Sequence, residues 1–105
     1  MATLTVLGEY VPCGECYGKQ AFIRRIPHTI DIRLYYWDIP PMQGWWIGWR
    51  LGGEKVWARN TSTLGQGPPN AEWRIPWDAD FPSPGLRLVK KGFIRVDGWA
   101  WEEEW

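Results

Sequence analysis

Apolar and polar residues alternate along several short stretches of the chain, most clearly over residues 30–37. One side of that stretch carries Ile30, Ile32, Leu34 and Tyr36, and the other side carries Asp31, Arg33, Tyr35 and Trp37. A period of two is typical of a half-buried β-strand. We therefore predict a strand here whose residues Ile30, Ile32 and Leu34 are buried, together with Ile47 or Trp45.

Similar runs, bounded by glycine or proline, predict further strands. They cover residues 3–7, 20–26, 44–51, 54–59, 72–77, 86–90 and 93–96. Gly52-Gly53 predicts a tight hairpin turn, and Pro76 restricts its strand to a sheet edge. The 9 prolines and 12 glycines leave little room for helices. The pattern predicts an all-β, antiparallel single domain of about six to seven short strands, arranged as a meander, a partly open barrel or a sandwich.

The length of the chain limits the number of domains, and its charge limits the kinds of partner. Its 105 residues fit one domain, which we place at residues 1–98, followed by an acidic, aromatic tail at 99–105. Basic and acidic residues balance at 12 each, which argues against a nucleic-acid or membrane-surface binder. No apolar run is long enough for a transmembrane helix. The first residues lack a signal-peptide pattern, which leaves an intracellular protein, or an organellar one whose transit segment has been removed.

The cysteines Cys13 and Cys16 form a C-x-x-C pair that has three interpretations. A redox pair needs a helix that begins directly after it, and here a β-like run follows. A zinc site needs two more ligands, and His28 is the only histidine in the sequence. We favour a turn that carries two thiols, or a short-loop disulfide in an oxidising compartment. We predict neither a metal nor another cofactor.

The patterns that would indicate catalysis are weak. His28 lies at a predicted turn, with no local sign of a nucleophile or an orienting carboxylate. Asp78 and Asp80 could form the paired acids of a small hydrolase. Short loop aspartates, however, more often hydrogen-bond to backbone N–H groups. We predict that the chain is not an enzyme.

Tryptophan dominates the composition, with 10 of 105 residues. That is more than one side of a small sheet needs, since each aromatic side chain buries about 150–250 Å². Alternation places several of them with arginine on the polar side of three consecutive strands. These candidate binding residues are Arg33, Tyr35, Trp37, Trp46, Arg50 and Trp57. We predict that they form one contiguous, at least partly exposed surface.

Three interpretations of that surface remain open. It is a self-satisfied Arg–Trp ladder without a ligand, a face that docks a partner protein, or a platform that stacks on sugar rings. The platform residues would be Tyr35, Trp37, Trp46 and Trp57. We predict a protein-interaction module or accessory subunit first and a carbohydrate-binding module as the alternative, with no nucleic-acid partner and no membrane insertion.

Several short motifs occur in an order that resembles a known module. They are Leu34-Tyr35-Tyr36-Trp37-Asp38, Gly44-Trp45-Trp46-Ile47-Gly48, Gly52-Gly53-Glu54-Lys55-Val56-Trp57-Ala58, Pro68-Pro69 and Trp73-Arg74-Ile75-Pro76-Trp77-Asp78. The pattern resembles a Trp/Gly-rich β module that recurs in many dinoflagellate and other marine protist proteins. Residues 17–22 look like that module's N-G-x-P-V-Y strand, with Tyr17 where asparagine is common. The likeness covers about residues 5–90. It implies a compact, non-catalytic β domain and brings no catalytic residues.

Overall fold

The described part of the chain forms seven β-strands. The computed structural model describes residues 6–25, 31–49, 55–83, 85–90 and 94–97. The strands are β1 (Gly8–Cys16), β2 (Lys19–Arg24), β3 (Arg33–Trp37), β4 (Gly44–Gly48), β5 (Val56–Asn60), β6 (Arg87–Lys90) and β7 (Ile94–Asp97). They form one sheet in the order β5-β4-β3-β2-β1-β7-β6, in which every neighbouring pair is antiparallel. The sheet curls into a half-barrel, which confirms the predicted all-β, antiparallel, single-domain fold.

The inner face of the curled sheet holds the main core. Leu34, Trp45 and Ile47 are 0% exposed there, as is Ile32 just before β3, so the predicted burial of this stripe is confirmed. Ile30 lies outside the described residues. The other buried members of this inner cluster are Val6, Tyr10, Phe22, Tyr36, Ala58, Trp73, Leu86, Leu88, Ile94 and Val96.

A strap of residues 69–74 runs along the β5 edge of the sheet. Arg59 of β5 and Arg74 of the strap exchange backbone hydrogen bonds of 3.0 and 2.8 Å. The Asn60 side-chain amide adds a third contact by donating to the Ala71 carbonyl at 2.7 Å. We predicted a strand over residues 72–77. That prediction is wrong, because the segment forms only an isolated bridge with β5, although it does lie at an edge.

The same strap reaches the opposite edge of the sheet. The Leu88 N–H of β6 donates to the Asn70 carbonyl at 2.8 Å. Between the two edges, the Trp73 ring is 0% exposed, and its indole N–H donates to the Pro69 carbonyl at 2.8 Å. Because the strap satisfies backbone groups on both β5 and β6, it limits edge-to-edge pairing with other chains. The strap therefore partly closes the half-barrel without itself being a strand.

A two-residue turn, Tyr17-Gly18, joins β1 to β2. Both residues have positive φ, 54° and 78°, which is the arrangement of a type I′ hairpin turn. Asparagine and glycine are the residues that adopt it at lowest cost. A tyrosine in the first position is therefore unusual. A contact of its ring with another part of the chain must compensate for the unfavourable backbone conformation.

Several sequence predictions have mixed outcomes. β4 and β5 pair antiparallel as predicted, but the Gly52-Gly53 turn between them lies outside the described residues. So do residues 99–105 and most of the predicted strand 3–7. The longest described strand, β1, was missed, because Pro12 and two glycines obscure its alternation.

Candidate functional site: the outer aromatic cluster

The outer face of the sheet carries a second hydrophobic cluster, centred on β2, β3 and β4. Its buried members are Ala21, Tyr35 and Trp46. Half-buried side chains pack around them. These are Cys16, Trp37, Met42, Val56 and Trp77. We call this set of side chains the outer cluster. It lies back to back with the inner cluster, since alternate residues of the same strands point to opposite faces.

Trp46 is the centre of the outer cluster. The ring of Trp77 lies against it at 5.5 Å between centroids and 47° between planes. The Arg59 guanidinium, directly opposite in the β4–β5 register, lies 4.9 Å from the Trp46 ring centroid. The Trp46 indole N–H donates to the Met42 carbonyl at 3.0 Å. These contacts leave Trp46 only 5% exposed.

Arg59 also anchors the loop between β3 and β4. Its Nη2 donates to the Gln43 carbonyl at 2.9 Å and to the Pro41 carbonyl at 3.2 Å. Burial, and to a smaller extent the nearby positive charge of Arg74, lowers the pKa of Arg59. The guanidinium is therefore held in place by stacking on the Trp46 ring and by hydrogen bonds to two carbonyl groups. In this position it covers Trp46.

Trp37 forms the accessible end of the outer cluster. The Tyr17 ring meets it edge to face at 5.1 Å and 82°, and the Tyr35 ring meets it at 6.4 Å and 82°. Tyr17 is 47% exposed, as is Ile39 in the loop that follows β3. The hairpin turn, the end of β3 and this loop lie at one end of the sheet, which therefore presents large apolar side chains to solvent.

The predicted binding residues are partly brought together. Arg33, Tyr35, Trp37 and Trp46 all lie on the outer face, as the alternation required. Arg33 and Trp37 are half-buried, which agrees with partial exposure. The prediction of exposure is wrong for Tyr35 and Trp46, which are 2% and 5% exposed. They are covered because Trp77, Arg59 and Met42 pack over this part of the face. Arg50 lies outside the described residues.

Trp57 is a correction to the predicted surface. The β4–β5 register shifts, since Ile47 pairs with Ala58 whereas Gly48 pairs with Val56. Trp57 is the extra residue of this bulge, and bulges change the direction of a side chain. As a result, Val56 packs against the outer cluster and Trp57 packs against the inner one. Simple alternation cannot place a residue correctly beyond a bulge.

Sequence reasoning missed Trp77, Met42, Arg59 and Tyr17. Trp77 and Met42 lie in loops, where no periodicity indicates their direction. Tyr17 did carry a signal, because it stands before a glycine where asparagine favours the turn. Arg59 was expected on the polar side of its strand, but its stacking on Trp46 depended on the register.

The other half of the outer face, on β1 and β7 and just past the end of β2, is charged rather than aromatic. Arg25 pairs with Glu9 at 3.2 Å, and Arg95 pairs with Asp97 at 3.1 Å. These side chains are partly exposed to solvent, so each ion pair contributes little to stability. The outer face thus divides into an aromatic half and a charged half.

Cys13 and Cys16 lie within β1 and not in a turn, which corrects the sequence prediction. The β1–β2 register shifts between Pro12 and Glu15, and one extra residue is accommodated there with Gly14 at a φ of 78°. Both thiols are free and half-buried. Burial raises the pKa of the Cys16 thiol. Among the residues that the structure describes, no three His, Cys, Asp or Glu side chains are grouped so as to hold a metal ion.

Asp78 and Asp80, the candidate paired acids, lie exposed in the loop after the strap. In this loop the carbonyls of Ala79 and Asp80 accept hydrogen bonds from Arg74 at 2.8 and 3.1 Å. The arginine thereby fixes the backbone of the loop that also carries Trp77. These contacts give the loop a structural role in supporting the outer cluster.

Comparisons with family models, with curated proteins and with solved structures found no match for this chain. Within the described part of the chain, no helix has the length and apolar character needed to cross a bilayer.

Proposed function

We propose that this chain is a non-catalytic protein-interaction module, or an accessory subunit of a larger assembly, that binds a partner protein at the accessible end of the outer cluster. The observation that carries the proposal is Tyr17. It occupies a positive-φ turn position that disfavours tyrosine, and its half-exposed ring lies edge to face on Trp37. An unfavourable backbone conformation retained together with an exposed aromatic contact is typical of functional surfaces.

The composition of this end supports a protein partner. Tyr17, Trp37, Ile39 and Met42 belong to the residue types that form apolar anchors at protein interfaces, and aromatic residues and methionine are enriched there. Behind them, the Trp46 indole N–H and Nη2 of Arg59 already donate to carbonyl groups of this chain, and the Arg59 guanidinium stacks on the Trp46 ring. The buried rings thus form a rigid base, while the half-exposed rings are available for binding.

The carbohydrate alternative receives less support from the ring geometry. A sugar-stacking platform needs flat aromatic faces that are exposed and roughly coplanar. Here, Tyr17 and Tyr35 each meet Trp37 at 82°, and Trp77 is tilted by 47° to Trp46. Rings in this arrangement present edges and small facets, which suit the irregular apolar surface of a protein.

Tyr17→Asn is the variant that tests this proposal. Asparagine removes the ring while tolerating the positive φ of the turn, so the fold should be retained. We expect immobilised Tyr17→Asn and Trp37→Ala chains each to lose a protein that the wild-type chain retains from its native source. Quantitative mass spectrometry of the retained proteins measures this difference.

The matched control is Phe81→Ala, which removes a side chain that is 79% exposed but lies in a different loop. It should retain the partner at the wild-type level. If all three variants retain the same proteins as the wild-type chain, this end is not the binding site. Binding of the wild-type chain to a glycan array, lost in Trp37→Ala, would instead support the carbohydrate alternative.

A further inference from the structure

The β1 bulge gives Cys13 and Cys16 a shared face that their spacing alone does not predict. In a regular strand, residues three apart point to opposite faces. In β1, three steps from Pro12 to Glu15 correspond to two steps on β2, from Phe22 to Gln20. Because of the extra residue, Cys13 on one side of the bulge and Cys16 on the other point to the same face of the sheet.

Contacts confirm that both cysteines lie on the outer face. The Cys13 sulfur accepts a hydrogen bond of 3.6 Å from Nη1 of Arg33, an outer-face residue. Cys16 packs against the outer cluster of Ala21, Tyr35 and Trp46. The Cα atoms of the two cysteines are therefore separated by two ladder steps on one side of the sheet, roughly 6–7 Å along the strand. A disulfide requires its Cα atoms to lie about 4.4–6.8 Å apart.

We propose that Cys13 and Cys16 form a reversible intrachain disulfide when the reduced chain meets a low-molecular-weight disulfide such as oxidised glutathione. Arg33 favours Cys13 as the first nucleophile, because its guanidinium presents positive charge and an N–H donor to that sulfur. Burial of Cys16 raises the pKa of its thiol and shields it, which suits the role of the resolving cysteine. The exchange does not require the proposed partner, although Cys16 directly precedes Tyr17 and packs against the outer cluster.

The exchange conserves atoms and electrons. The Cys13 thiolate attacks one sulfur of the glutathione disulfide, forms a mixed disulfide and expels one glutathione thiolate. The Cys16 thiolate then attacks the Cys13 sulfur and expels the second glutathione. The chain loses two thiol protons and two electrons, and the glutathione disulfide is reduced to two thiols.

The full chain, reduced and then equilibrated in glutathione buffers, provides the test. After an acid quench and alkylation of the remaining thiols, intact mass spectrometry should show a species that lacks two hydrogens and carries no adduct. Cys16→Ser should trap glutathione on Cys13. Cys13→Ser should react more slowly, by about tenfold, because its remaining thiol is half-buried against the outer cluster and has a raised pKa.

Arg33→Gln in the Cys16→Ser background separates the role of the guanidinium from that of exposure. It should slow glutathione addition to Cys13, whereas Arg33→Lys should preserve most of the rate. Two glutathione adducts on the wild-type chain, or a disulfide-linked dimer, would overturn the proposal. So would one zinc per chain in protein purified without added metal, lost on Cys16→Ser, since the thiols would then be metal ligands.

Discussion

The inner and outer faces of the sheet are built from the same strands, yet they are closed in different ways. On β3, Leu34 and Tyr36 enter the inner cluster, while Tyr35 and Trp37 join the outer one. The inner cluster is sealed by the curl of the sheet and by the strap that carries Trp73. In the part of the chain that the structure describes, the outer cluster is covered by side chains, chiefly those of Arg59 and Trp77. Its burial therefore decreases from Trp46 towards Trp37.

Because of this difference, the side chains that stabilise the fold are largely distinct from those that we propose for binding. Full removal from water gives an apolar side chain its largest contribution to folding. The inner cluster consists of such side chains, and so does the buried base of the outer cluster. Trp37 and Tyr17 keep part of their surface in water, so their removal costs less and leaves the sheet intact. One end of one face can thus change without affecting the fold.

The largest expected effect is the loss of the strap's anchor. Trp73→Ala leaves a cavity between the two sheet edges and should lower the free energy of unfolding by about 3–5 kcal/mol. That is a large share of the stability of a small domain. Urea denaturation followed by circular dichroism measures it. Phe81→Ala, in the next loop, should change the same quantity by less than about 0.5 kcal/mol.

Leu34→Ala tests the inner face on a central strand. Leu34 is 0% exposed between β2 and β4, so the substitution should cost about 2–5 kcal/mol. Ile23→Ala is the matched control, because Ile23 is half-buried on the outer face of the adjacent strand. Its cost should be the smaller of the two. A Leu34→Ala cost under about 0.5 kcal/mol would mean that the two faces are reversed.

The pH dependence of stability should report on the inner tyrosines. Burial raises the pKa of Tyr10, whose hydroxyl donates to the Val6 carbonyl at 2.8 Å, and burial also raises the pKa of Tyr36. Above pH of about 10 the unfolded chain releases these protons while the folded chain retains them. The free energy of unfolding should therefore fall with rising pH, by up to about 1.4 kcal/mol per unit for each tyrosine.

Tyr10→Phe provides the check on that slope. It should lower stability at neutral pH by about 0.5–1.5 kcal/mol, because the hydrogen bond to Val6 is lost. A free tyrosine has a pKa of about 10 and titrates between about pH 9 and 12. Over this range, the free energy of unfolding of Tyr10→Phe should fall less steeply with pH than that of the wild-type chain. Equal slopes would show that Tyr10 is already accessible to hydroxide in the folded state.

Much of the fold could be predicted from the sequence because alternation acts locally. The stripe of Ile32 and Leu34 with Trp45 and Ile47 is a period-two pattern on neighbouring strands, and the structure buries all four. β1 escaped prediction because a bulge, a proline and glycines interrupt its pattern. The strap escaped because its role depends on reaching both edges of a curled sheet, which is a property of the tertiary fold.

The candidate site was less predictable, for a different reason. Tyr35, Trp37 and Trp46 could be assigned to one face by counting residues. Trp57 could not, because the β4–β5 bulge turns it towards the inner cluster. Whether a ring is exposed depends on what packs over it, and the loop residues Met42 and Trp77 show no periodicity. Composition indicated an aromatic surface, but only the three-dimensional packing distinguishes its buried base from its accessible end.

A last pair of variants compares the two halves of the outer face. Arg59→Gln removes a guanidinium that stacks on Trp46 and donates to two carbonyls. It should cost about 1–3 kcal/mol, since both the cation–π contact and the hydrogen bonds are lost. Glu9→Gln removes the charge of an ion pair whose side chains are 41% and 57% exposed. It should change the free energy of unfolding by less than about 0.5 kcal/mol.

Added salt should affect the two variants differently. Exposed charges are screened by added salt, so the small effect of Glu9→Gln should shrink further at about 1 M ionic strength. The cost of Arg59→Gln should change little, because its contacts are half-buried and involve a ring and carbonyl groups, not a carboxylate. Denaturation of both variants and the wild-type chain at low and high salt measures the two differences. If both costs fell together, Arg59 would be acting as a surface charge, and Trp46 would not depend on it for cover.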